Sequence, residues 1–213
     1  MRGVALILPL VLGFSTAAST QTPNAYSSAP RAQAAYGYSV AAALNDWRRL
    51  RQSGGSSFAD YARFLTYNPG WWDEDRMRAA AERIMRPGEN AGVVLSFYAT
   101  QKPVSGTGFA RLADALAASG RPAEALAAAR EAWASDDLGG SDEQSIYARW
   151  GNSFTRADHD RRIDSLLFAK KADDAARLYS MASPARQAAF ATRIALQRKD
   201  SNAEALYQSV MGT

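Results

Sequence analysis

The segment Phe109–Trp133, FARLADALAASGRPAEALAAAREAW, constrains this chain more than any other. Phe109, Leu112, Ala113 and Leu116 recur at the spacing of one helical face. Ser119-Gly120 ends that helix, because glycine takes the left-handed conformation a helix stop demands. Pro122 opens the next helix with its φ already set, and Leu126, Ala129 and Trp133 carry a second apolar stripe. The alanines combine high helix propensity with side chains small enough for two backbones to lie close. A hairpin of this kind cannot bury both faces by itself and needs neighbours of the same kind.

The rest of the chain supplies them. Val40, Leu44 and Trp47 mark a first helical face, with Arg48, Arg49 and Arg51 outside it as either a solvated flank or an anion-holding cluster. Ser57 with Asp60 has capping-box spacing ahead of Phe58, Tyr61, Ala62 and Leu65. Asn68-Pro69-Gly70 is a turn. Beyond it stand Trp71 and Trp72, then Asp73-Glu74-Asp75, whose charges suit the first turn of the helix carrying Met77, Ala81 and Ile84. One tryptophan of such a pair packs inward, while an exposed indole is a platform for a sugar ring. Val93, Val94, Phe97 and Tyr98 make a short helix, and Gly106 and Gly108 read as an inter-helix loop. Ser141 with Gln144 and Thr155 with Asp158 have capping-box spacing, Ser183-Pro184 and Ser201–Glu204 begin the last two helices, and Ile146, Ile163, Leu166, Leu167, Phe190 and Ile194 face inward. No stretch alternates with period two, so the class is all-α.

Three segments align at a helix–turn–helix junction: LAASGRPAEAL from Leu116, LLFAKKADDAARL from Leu166 and LQRKDSNAEAL from Leu196. Their acidic residues Glu124, Asp174 and Glu204 are spaced by about 50 and about 30 residues, the latter near the period of stacked helical hairpins. The expected architecture is an α-solenoid, a superhelix of about ten short antiparallel helices of tetratricopeptide-like kind, binding on its concave side.

Met1–Ser19 has a basic start, a short apolar run over Val4–Phe14 and small residues for cleavage. That is a signal peptide, and the run is far short of the ~20 residues of a membrane span. With no cysteine in the chain, there is no lipid attachment point, disulfide or thiolate chemistry. Export to the periplasm without a stable membrane anchor is the expectation. Residues 20–38 lack any period and read as disordered linker; residues 39–213 read as the folded helical domain. The net charge of +4 is too small and too dispersed for nucleic acid.

Residues for a chemical step are scarce. His159 is the single histidine, in Asp158-His159-Asp160 at a helix start, where an exposed or locally bonded imidazole is expected; nothing completes a metal site around it. The glutamates fall on helix starts or exposed flanks, and no nucleophile elbow, zinc-protease or phosphate-loop motif occurs. The expectation is no catalytic residue, no metal and no cofactor.

At Phe154-Thr155-Arg156-Ala157-Asp158-His159-Asp160, continuing through Arg162, Asp164, Leu166 and Leu167, the chain resembles the N-terminal superhelical, U-shaped domain of soluble lytic murein transglycosylases. Trp47–Arg51, Phe58–Leu65, Asn68–Trp71, Glu131–Trp133 and Arg193–Gln197 follow that family's order, so the likeness spans roughly Ala43 to Val210. It implies periplasmic work on the glycan strands of peptidoglycan. The family cleaves the β-1,4 bond between N-acetylmuramic acid and N-acetylglucosamine to a 1,6-anhydro end, without metal or cofactor. Its catalytic glutamate lies in a Glu-Ser dipeptide of a separate lysozyme-like domain. No Glu-Ser occurs in this sequence, so that domain is read as absent and no catalytic residue carries over. The expected role is a non-catalytic scaffold that guides glycan strands, with Trp72, Arg149 and Trp150 as glycan-facing candidates and a catalytic domain or partner protein beside it. The alternative is a periplasmic helical-repeat adaptor for another protein.

Overall fold

The computed structural model describes residues 39–52 and 54–212; the signal peptide and linker read from the sequence lie outside them. The described residues form eleven α-helices and no strand. They are α1 (Val40–Arg51), α2 (Phe58–Tyr67), α3 (Glu74–Ile84), α4 (Ala91–Phe97), α5 (Gly106–Ala118), α6 (Pro122–Ala134), α7 (Gly140–Trp150), α8 (Arg156–Phe168), α9 (Ala172–Leu178), α10 (Pro184–Arg198) and α11 (Ala203–Met211). No helix among the described residues is long and apolar enough to cross a membrane.

The α5–α6 hairpin is the most intimate helix pair. Ala113, Ala129 and Ala132 are fully excluded from solvent along it, the close approach that small side chains permit. Helix α5 also joins two apolar cores. Ala115 closes the first with Phe58, Phe64, Leu65, Met77 and Phe97. Ala110, Ala113 and Leu116 belong to the second, with Trp133, Ile163, Leu166, Leu167 and Phe190. The extensive helix contacts join elements no more than two places apart in the chain.

The three aligned segments share one backbone turn. Gly120, Lys170 and Lys199 each have positive φ, near +72°, +61° and +60°. The next amide reaches back across the helix end each time: Arg121 to Leu116 at 3.0 Å, Lys171 to Leu166 at 2.8 Å and Asp200 to Ala195 at 2.9 Å. This is the left-handed stop that pairs orphan carbonyls at a helix C-terminus. Helices α6 and α9 start two residues after that turn, at Pro122 and Ala172, whereas α11 starts later, at Ala203.

Of the three pairs with capping-box spacing, Ser57 with Asp60 and Thr155 with Asp158 form the box, and Ser141 with Gln144 does not. Other helix starts differ from expectation. Helix α7 begins at Gly140 behind Gly139 with no side-chain cap, so Ser141 lies inside it. Asn202, not Ser201, precedes α11. Gly106 and Gly108 are not loop but the first turn of α5, capped by Ser105. In α1, Ala43 and Leu50 are buried while Val40 is exposed, so the inward face is turned from Val40–Leu44–Trp47. Ile84 also lies at the surface.

Candidate functional site

Helices α1 and α3 both flank α2, and a groove of about 540 Å³ runs between them. Its walls follow from periodicity: Arg76, Met77, Ala80, Arg83 and Ile84 are one face of α3, and Leu50 and Arg51 end α1. Tyr61 of α2 contributes to the lining and ties its hydroxyl to the Leu50 carbonyl at 2.6 Å. Thus Ala80 and Ile84 supply apolar surface over the buried Leu50 and Met77, and Arg51, Arg76 and Arg83 supply positive charge. Asp73 supplies the opposing carboxylate and pairs with Arg76 at 3.6 Å.

The tryptophan pair divides as the turn requires. Trp71 packs edge-on to Phe64 at 5.5 Å. Trp72 remains 65% exposed and meets Trp47 edge-to-face at 5.5 Å. Asp73, the next residue, has left-handed backbone at φ 67° before α3 begins, a conformation aspartate tolerates better than most residues. The Arg51 guanidinium lies over both indoles, 4.8 Å from Trp47 and 5.3 Å from Trp72. Of the three clustered arginines of α1, Arg49 is engaged by Asp46 and Asp60; Arg51 turns to the indoles and the groove.

Arg149 and Trp150 lie elsewhere. Arg149 stacks on Trp150 at 4.6 Å and pairs with Asp114 of α5 at 3.3 Å, beside a cleft of about 310 Å³. Trp150 packs partly into the second core. Burial holds the Asp114 carboxyl above the usual range, against the opposing effect of Arg111 and Arg149 and with Asp142 adding to the rise. Of the three expected glycan-facing residues only Arg149 lines a cleft, the one beside Asp114; Trp72 and Trp150 line neither groove, though Trp72 adjoins the first through Arg51 and Asp73. Asp114 carried no signal in the sequence, because Arg149 comes from a helix some 35 residues away.

The residues of the Phe154–Leu167 motif staple helices. Asp158 caps α8. Asp160 accepts from the Ser183 amide at 2.9 Å and its hydroxyl at 2.6 Å, fixing the start of α10. Arg162 is buried, donating to the carbonyls of Ser135 and Leu138 and to Glu143, with its guanidinium over Trp133. Asp164 takes Arg186 and Arg193 of α10, each at 2.5 Å. His159 is not solvent-exposed: it is buried edge-on to Trp133 at 5.7 Å and close to Phe154. Burial pushes its pKa down, against Asp158 and Asp160 and together with Arg156.

Glu82 also departs from expectation. It lies on no exposed flank but is 1% exposed, accepting the Val104 amide at 3.0 and 3.2 Å and the Ser105 hydroxyl. Its carboxylate therefore sits at the N-terminus of α5, where a negative charge is favoured. Tyr98 lies beside it, its hydroxyl pushed to higher pKa by burial and by that carboxylate. Among the described residues no cluster of metal-ligating side chains occurs. No family model, no curated protein and no solved structure matches this chain.

Proposed function

We propose that this chain is a non-catalytic periplasmic scaffold that holds peptidoglycan glycan strands, the superhelical part of a lytic murein transglycosylase-like protein. The observation that carries the reading is Trp72: a largely exposed indole, backed by Trp47 and by Arg51, which itself lines the arginine-bordered groove. A sugar ring stacks on such a face, and guanidinium edges receive carboxylates. A bent superhelix of tetratricopeptide-like hairpins is supported by contacts between near neighbours in sequence and by the turn shared at Gly120, Lys170 and Lys199. The motif that resembles the transglycosylases consists of helix staples here, in keeping with a scaffolding role. Retention on purified sacculi tests the reading. The mature chain is expected to co-sediment and Trp72→Ala to do so more weakly; retention no greater than that of an unrelated basic helical protein overturns it. A reporter fused to residues 1–25 tests export, and cytoplasmic retention contradicts it.

One observation favours an adaptor for a partner protein. Phe168, at the end of α8, is 88% exposed, and the Gln197 side chain donates to the neighbouring Leu167 carbonyl at 2.7 Å, bringing exposed Leu196 to the same end of the fold. Under that reading, substitution of Phe168 abolishes partner capture and sacculus retention is absent.

A further inference from the structure

The groove between α1 and α3 has a charge arrangement that fold stability does not require. Arg76 has Asp73, but Arg51 and Arg83 have no carboxylate within ion-pair distance among the described residues. Both stand in the last turn of a helix, where a cation offsets the dipole. That explains their sign but not their convergence on one depression with apolar lining. Nor does it explain the position of Arg51 over two indoles. Stacking occupies the faces of a guanidinium and leaves its N–H edge available for a planar anion.

We infer that this groove binds a carboxylate-bearing glycopeptide, with a sugar ring on Trp72, a carboxylate on Arg51 and Arg83, and apolar peptide carbons along Ala80 and Ile84. Naming that ligand as the peptide stem of peptidoglycan rests on the function proposed above; the match of a carboxylate on an apolar body beside a ring rests on the groove.

Calorimetric titration of the mature chain with a soluble disaccharide–tetrapeptide, and with the same compound fully amidated, tests the inference, alongside retention on sacculi. Removing a charge-assisted hydrogen bond weakens binding by about tenfold, so amidation, Arg51→Gln and Arg83→Gln are each expected to do so. Arg198→Gln, a surface change that removes an ion pair with Asp173, is expected to bind as the parent does. Amidation is read on the unaltered protein, so misfolding of a variant cannot imitate the result. Equal affinity for acid and amide, or no binding of the acid, overturns the inference. Retention on sacculi that Arg51→Gln and Arg83→Gln leave unchanged overturns the groove while the scaffold reading stands. Binding of the acid probe that these variants abolish, without retention on sacculi, supports the groove and removes the reading of a scaffold on intact glycan strands.

Discussion

A β-carbon added to Gly108 would fall 2.5 Å from the carboxyl carbon of Glu82. Glycine is required at that point of α5 because a buried carboxylate from α3 occupies the space, held by Val104 and Ser105. Gly108→Ala is expected to cost about 2–3 kcal/mol by overpacking. With Glu82→Ala in place the added methyl has room, so a double-mutant cycle in urea should show strong coupling. Additive losses would place the strain elsewhere.

Arg162 and its neighbour Arg161 offer a comparison within one helix turn. Arg162 is buried with three oxygen partners, whereas Arg161 meets Glu131 at the surface. Arg162→Met leaves Glu143 and two carbonyls short of a donor and is expected to cost about 3–5 kcal/mol. Arg161→Met should cost less than about 1 kcal/mol. Chemical denaturation of both variants checks the contrast, and similar losses would refute it.

Lys170 and Lys199 occupy the left-handed position that Gly120 fills in the equivalent turn. A side chain there costs roughly 1–2 kcal/mol. Lys170→Gly should therefore stabilise the fold, reduced by the extra freedom glycine gives the unfolded chain, and raise Tm by about 2–4 °C for a net gain near 1 kcal/mol. A fall in Tm would show that the lysine side chain contributes more than its backbone costs.

His159 makes stability depend on pH with a definite sign. Its folded pKa is lowered, by burial first, so the unfolded chain takes up the proton before the folded one as pH falls below about 6.5. The stabilising contribution is present above that value and declines on acidification until the folded pKa is passed. His159→Phe keeps an aromatic ring against Trp133 and removes the proton site. Its Tm should fall less than that of the parent between pH 7.5 and 5; parallel curves would contradict the assignment.

Local features were legible and distant pairings were not. Capping boxes at Ser57 and Thr155 span three residues, and the Gly120–Pro122 stop and start needs only its own neighbours. The repeated turn was visible through Glu124, Asp174 and Glu204 even where lysine replaces glycine. Glu82 looked like an exposed flank because its partners come 22 and 23 residues later. His159 read as exposed or locally bonded because Trp133 and Phe154, which cover it, belong to other segments. Neither helical spacing nor composition distinguished Trp71 from Trp72; the left-handed turn at Asp73 and the packing partners Phe64 and Trp47 separate them. The groove could not be read at all, since Arg51, Arg76 and Arg83 meet only when α1 and α3 are set on either side of α2.

The most direct measurement incubates the purified mature chain with sacculi, then reads bound protein in the pellet and 1,6-anhydro muropeptides in the supernatant. The expected result is protein in the pellet, less of it for Trp72→Ala, and no anhydro products. Protein that stays in the supernatant, or anhydro products released by this chain alone, contradicts a scaffold that holds glycan without cutting it.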